Sequence, residues 1–274
     1  RKSSRRILKD ERIAYFESSR GAGIPVGAQD YVKERLDKSP RHLDWASVKS
    51  GDRTVRCFVA DPQTKEKAAA VLVIHENRGL TDWVRGVTDQ LAEAGYIAVA
   101  PDLLSGAAPK GGGTSDFDSE DAARDAIYKL PDAQVTADLN AAADFALKIP
   151  SCNGKLAVAG FCWGGGQSFR FATNRKDLKA AFVFYGMFPY TKEDLARIAC
   201  PVYGFYGGSD ERIGATIPDT TTAMKSAGKT YEPVTYDGAG HGFMRAGEDP
   251  KAEGPDRKAW TTAWARWKKL LSGI

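Results

Sequence analysis

The chain has 274 residues, 42% of them hydrophobic, enough for one substantial core and short for two well-separated ones. Its 39 basic and 35 acidic side chains leave a net charge of +4 and are interspersed beyond the opening Arg1 to Arg6 stretch, so nothing argues for nucleic acid as a partner. No apolar run approaches the roughly 18 residues needed to cross a bilayer, so a soluble protein without a membrane partner is expected.

The segment Ser4-Arg5-Arg6-Ile7-Leu8-Lys9 is faintly similar to a twin-arginine export signal. It continues as Asp10-Glu11-Arg12 instead of an apolar stretch, and as it stands cannot act as one. The compartment expected is cytoplasmic or, if a leader has been removed ahead of Arg1, periplasmic or exported. Residues 1–42 hold short helix-like pieces such as 29–37 but too few apolar residues for a core of their own. They are expected to form an arm laid on a main domain at 43–274.

From Leu43 to Ala60 the sequence reads as a hairpin: Leu43, Trp45 and Ser47 alternate, Gly51-Asp52 turns, and Val55, Cys57 and Val59 return. Beyond it, β-rich runs at 70–75, 96–100, 155–160, 180–185, 201–206 and 230–236 alternate with helix-like stretches. That alternation predicts an α/β fold with a mostly parallel central sheet flanked by helices on both faces. The runs are apolar at nearly every position and are expected to be central strands. Thr81 and Asp82 read as helix start residues and Gly95 as a stop. Residues 105–118, rich in glycine and aperiodic, read as an exposed loop. The last helix, about 256–272, carries Trp260, Trp264 and Trp267 at helical spacing, for which core packing is favoured over a binding role. Of the four cysteines, Cys57 and Cys162 fall within or just after apolar runs, while Cys152 and Cys200 lie in loop-like segments and could pair.

The most specific feature is Gly160-Phe161-Cys162-Trp163-Gly164, where a strand gives way to a helix at 163–174. It reads as a nucleophile elbow with cysteine in place of serine. A tight strand-to-helix turn strains its central residue, and a Cβ at the glycines would clash. The positive N-terminal end of the following helix favours a thiolate and a developing oxyanion. A merely structural thiol leaves this context unexplained. A phosphate-cradling loop is disfavoured because Gln167-Ser168, not Lys-Ser/Thr, follows the glycines.

A thiol nucleophile needs a base, and there are three histidines. His42 precedes the hairpin, and His75 ends an apolar run, where a structural role is favoured. His241, in the glycine-flanked Gly238-Ala239-Gly240-His241-Gly242-Phe243, is the candidate base. The orienting carboxylate should lie between nucleophile and base in chain order. Asp210 in Gly207-Gly208-Ser209-Asp210 fits, with Glu211 as the alternative. No pair of histidines has metal-ligand spacing on one helix turn, so neither a metal nor another cofactor is expected.

The elbow GFCWGGG, the GGSD turn and the GHGF loop together resemble the dienelactone hydrolase family, from about Val55 onward. The resemblance implies the α/β-hydrolase fold, with the catalytic order Cys, Asp, His. It further implies that Glu76, in His75-Glu76-Asn77-Arg78-Gly79, corresponds to a glutamate that contacts the resting thiol. The backbone N–H groups of Asn77 and Trp163 would form the oxyanion hole. Arg245, four residues after His241, and Arg124 with Tyr128 would contact a substrate carboxylate. Pro131, the 105–118 loop and the 1–42 arm depart from the compact members of the family and bear on the identity of the substrate.

The expected reaction is two-step acyl transfer through a Cys162 thioester, on small-molecule esters or lactones and most specifically on small carboxylated enol lactones. A general carboxylesterase of broader or larger esters is the alternative enzyme. A non-catalytic binding protein on the same fold is the alternative of another class.

Overall fold

The β-rich runs of the sequence become strands of one sheet. The computed structural model describes Ile13–Ala14 and residues 30–274. Most of the expected arm, including Arg5-Arg6, lies outside the described residues; the piece expected at 29–37 is a helix, Asp30–Asp37. Strands β1 (Ile13–Ala14), β2 (His42–Ser50), β3 (Arg53–Asp61), β4 (Ala68–Ile74), β5 (Ile97–Pro101), β6 (Cys152–Phe161), β7 (Leu178–Phe184), β8 (Val202–Gly207) and β9 (Tyr231–Tyr236) line up in the order β1-β2-β3-β5-β4-β6-β7-β8-β9. The β2–β3 hairpin turns at Gly51-Asp52, sets Trp45 opposite Phe58, and pairs antiparallel with β5 through β3. From β5 to β9 every pairing is parallel.

Period-two alternation sorts the side chains onto two faces. Leu72, Ile74, Val158 and Val183 face the helices Asp132–Leu147 and Trp163–Asn174. Val71, Val73, Phe161, Phe182 and Phe184 face the helices Asp82–Glu93 and Gly254–Leu271. Thr81 stands at the N-terminal boundary of the first of these last two, without a side-chain capping bond, and Gly95, at φ +95°, follows its end. Trp267 is fully buried against Phe161, Phe182 and Phe184, and Trp264 stacks on it. Trp260 is only half-buried, under the Arg257 guanidinium. The tryptophan stripe is therefore chiefly core.

Three expectations need correction. The 230–236 run is not a central strand: β9 is the sheet edge and has no fully buried residue. Pro233, which has no N–H to give to a further ladder, suits that edge. The 105–118 loop is only partly exposed. Ala108 and Phe117 are buried, and Thr114 bonds Asp102 through both its N–H and its hydroxyl (2.8 and 2.7 Å). Cys152 opens β6 rather than sitting in a loop; it and Cys200 are buried free thiols, as is Cys57.

Candidate active site

Two strands adjacent in the sheet, β4 and β6, send their chains in opposite directions, β4 on to β5 and β6 on to β7, and the crevice at their carboxyl ends is where such sheets place ligands. Cys162 stands at that point, with φ 54° and ψ −117°, between β6 and the helix Trp163–Asn174. Its neighbours explain the glycines. A Cβ on Gly160 would lie 1.9 Å from the Gly164 carbonyl oxygen, and one on Gly164 would lie 2.3 Å from that of His75. A Cβ on Gly186, beside the elbow, would lie 2.4 Å from the Cys162 carbonyl oxygen. Backbone alone fits at these approaches, so the turn is held by contact on every side.

His241 comes from the loop after β9. Gly238 and Gly242, at φ +69° and +77°, bend that loop so that the imidazole Nε2 reaches Cys162 Sγ at 3.2 Å. On the other ring nitrogen, Nδ1 meets Asp210 Oδ2 at 2.5 Å. Asp210 follows β8, is nearly buried, and its Oδ1 accepts the Ile213 N–H at 3.3 Å, which caps the helix Glu211–Gly214. Glu211, the alternative, is exposed. The two loops meet without intervening side chains: a Cβ on Gly207 would lie 2.5 Å from the Gly240 carbonyl oxygen. The bond to Cys162, with the Asp210 bond and both negative charges, pushes His241 up to about 9 against the opposing effect of burial.

The other two histidines are apart from this cluster. His75 is buried; its Nδ1–H donates to the Glu76 carbonyl (2.8 Å), Nε2 accepts the Leu103 N–H (3.3 Å), and its ring stacks on Trp163. Burial holds it below its ordinary value. That is the structural role expected of it. His42 opens β2, away from the elbow.

Glu76 is placed differently from the expectation. Its buried carboxylate accepts from Arg245 Nε at 3.0 Å, while the thiol is bonded to His241. Arg245 lies on the short helix Phe243–Ala246 and keeps 41% of its side chain exposed, so its guanidinium faces both Glu76 and solvent. The Glu76 charge raises it further above its ordinary value. The N–H groups of Asn77 and Trp163 have no acceptor among the described residues, and the latter opens a helix, where such donors are expected to be free. The Asn77 amide donates to the hydroxyl of exposed Tyr128 at 3.2 Å, and Arg78 pairs with Glu120. Arg124 is not drawn in: it pairs with Asp121 and Asp125 of its own helix, Glu120–Ile127.

Two residues had gone unmarked in the sequence. The His241 ring packs edge-on against Tyr185, centroids 5.2 Å apart. Behind Arg245, buried Glu248 accepts from Trp83 Nε1 (2.7 Å) and Gln90 Nε2 (2.9 Å) and pairs with Arg35 (2.7 Å) of the first helix. Neither carries a motif, because each gains its meaning from a distant segment. Among the described residues no cluster of three or more His, Cys, Asp or Glu side chains is arranged to hold a metal ion, and no helix is long and apolar enough to cross a membrane.

This strand order, with helices on both faces and an elbow after β6, defines an α/β-hydrolase. Residues 55–274 match the model of the dienelactone hydrolase family, and the chain belongs to that family. A carboxymethylenebutenolidase homologue from Methylorubrum extorquens is 33% identical over 230 residues, covering 80% of this chain and 77% of the relative. A second homologue of that name, from Escherichia coli K12, is 31% identical over 211 residues, covering 73% and 76%. The crystal structure of a dienelactone hydrolase homologue from Klebsiella pneumoniae superposes with a TM-score of 0.74 at 26% identity, covering 85% of this chain and 99% of the other. The protein is a carboxylic ester hydrolase acting on small-molecule lactones or esters.

Proposed function

We propose that this hydrolase works through Cys162, His241 and Asp210, and that its preferred substrates are small enol lactones bearing a free carboxylate. The observation that carries the reading is the continuous contact from Cys162 Sγ through both nitrogens of His241 to Asp210, on a strained elbow at the mouth of the sheet. In the first step the thiolate adds to the lactone carbonyl carbon, and the oxyanion is held by the N–H groups of Asn77 and Trp163. The ring C–O bond then breaks, its electron pair leaves with the enolate oxygen, and the His241 imidazolium supplies the proton. In the second step neutral His241 takes a proton from water, the hydroxide adds to the thioester carbonyl, and the C–S bond breaks to return thiolate, imidazolium and free acid. Asp210 holds the imidazole in the orientation that serves both steps. The catalytic unit is residues 43–274, with 1–42 as its arm.

Arg245 would bind the substrate carboxylate in charge-assisted hydrogen bonds, with Arg124 and Tyr128 completing the pocket once the substrate draws that helix in. Glu76 orients Arg245 in the free enzyme. Because Arg124 is paired with its own helix, a second reading has Arg245 acting alone on a broader range of esters.

Acyl trapping tests the chemistry. Rapid acid quench with a slow aryl ester should add one acyl mass to a peptide containing Cys162; acylation of any other residue overturns the nucleophile. Specificity is tested by the ratio of kcat/KM for a carboxylated lactone to that for an aryl acetate. Losing a charged partner costs on the order of 2–4 kcal/mol, so Arg245→Ala should lower that ratio roughly thirty- to a thousandfold. Arg124→Ala should lower it less. If both ratios hold, neither arginine reads a carboxylate.

A further inference from the structure

Along β7 the side chains alternate as a strand requires: Ala181 and Val183 on one face, Phe182 and Phe184 on the other. The next residue, Tyr185, should return to the first face. It does not. With φ at +41°, in the region that bulky side chains avoid, it stays on the Phe184 side, and its ring goes beneath His241 and Phe243, with centroids at 5.2 and 5.4 Å. Its backbone N–H is still bonded to the Phe205 carbonyl, so the chain is held in this conformation.

The phenol hydroxyl there is fully buried and has no hydrogen-bond partner among the described residues. The strained backbone and the unpaired hydroxyl both oppose folding, and phenylalanine would avoid the second. Two unfavourable features on one residue touching the catalytic histidine ask for a reason in the reaction. Burial raises this phenol well above its ordinary value, followed by the charge of Glu76, and it remains a neutral donor.

Glu76 is the acceptor in need. It is buried, its ion-pair partner is Arg245, and its Oε1 would lie 3.9 Å from a Cβ on Gly242, the residue that joins His241 to Phe243, whose rings Tyr185 touches. If Arg245 turns to a substrate's carboxylate, the Glu76 carboxylate is left in the interior without its counter-ion, an arrangement that strongly opposes the move unless another donor steps in. We infer that Tyr185 is a positioning residue whose hydroxyl is reserved for Glu76, taking over that carboxylate when Arg245 leaves it for a carboxylated substrate. The inference rests on the reading of Arg245 given above. It accounts for a tyrosine where the packing against His241 asks only for an aromatic ring.

Tyr185→Phe keeps the ring and removes the hydroxyl. It is compared with wild type and Arg245→Ala for kcat and KM on a carboxylated lactone and on an aryl acetate, with melting of each free enzyme. The expected result is a fall of at least tenfold in the ratio of kcat/KM, lactone over acetate, expressed mainly in KM. The ligand-free variant should melt no lower than wild type, because the hydroxyl makes no bond there. If Arg245→Ala changes the ratio and Tyr185→Phe does not, the reserve role is wrong while the reading of Arg245 stands. If neither changes it, that reading fails and takes this inference with it. Equal losses on both substrates with a lower melting temperature would make the hydroxyl an ordinary structural group and overturn the proposal.

Discussion

Replacing Gly207 by alanine perturbs the site's geometry without touching a reacting group. Gly207 ends β8, three residues before Asp210, and faces the backbone of the loop that carries His241. A methyl there would lie 2.5 Å from the Gly240 carbonyl oxygen and 2.6 Å from that of Ala239. Both are backbone atoms, so no side chain can swing aside, and reaching ordinary contact near 3.4 Å requires the loops to part by roughly 0.9 Å. The Asp210–His241 contact, now 2.5 Å, would open toward about 3.4 Å, beyond a useful hydrogen bond. Misplacement on the scale of 1 Å costs about a hundredfold in rate, or roughly 2.7 kcal/mol of barrier. The assay is kcat/KM on an aryl acetate, well below the melting temperature of the variant. Gly214→Ala is the control: a Cβ there meets nothing within 4 Å, and its rate should match wild type. A folded Gly207→Ala protein within threefold of wild type would refute the reasoning.

Four further outcomes are expected. Cys162→Ala should lose at least about a thousandfold in turnover, while Cys57→Ala, Cys152→Ala and Cys200→Ala stay active when folded; loss of activity in a folded member of the second group would move the nucleophile. Since the Cys162 bond and Asp210 hold His241 near 9, kcat/KM should fall as pH rises through about 9, where the leaving group loses its proton source. The same group, raised above its ordinary value near 6.5, contributes stability present in full below that value and lost as pH rises through about 9. Denaturant titrations between pH 6 and 10 check the sign, and a contribution that grows with pH would contradict it. Arg35→Met leaves buried Glu248 without its counter-ion; because Arg35 keeps 30% of its side chain exposed, the expected loss is roughly 2–3 kcal/mol, below the fully buried value. Calorimetry would show it as a lower melting temperature, and an unchanged one would mean that Glu248 is neutral in the native protein.

Much of this was legible in the sequence because it is local. The elbow is written in consecutive residues, and the backbone approaches at Gly160 and Gly164 require those glycines wherever the rest of the chain goes. The parallel strands announce themselves by being apolar on both faces, and His75 reads as structural from its place in such a run. Where the reading failed, the cause was distant. Nothing in residues 230–236 says that, among the described residues, no further strand will lie beside them. The sequence between 105 and 118 gives no sign that Asp102 will take hold of Thr114. Glu76 and Arg245 were each marked, but not as partners. The turn of Tyr185 onto the wrong face was beyond reach, since Phe-Val-Phe-Tyr is what any strand might carry. Arg124 was marked for a substrate carboxylate, while its pairing followed the aspartates beside it, Asp121 and Asp125.

Glu248 gathers donors from residues 35, 83 and 90, segments made early in synthesis, while it is itself made late. At the usual pace of roughly 5–20 residues per second, those donors wait on the order of eight to forty seconds for their acceptor. His241 emerges in the same late interval, after every described strand of the sheet has been made. During that wait the helix Asp82–Glu93 has an unfilled apolar face, because the helix Gly254–Leu271 that shares its side of the sheet has not yet appeared. The acceptor for those donors and the cover for that face thus come from neighbouring late-made segments, Glu248 and the helix Gly254–Leu271.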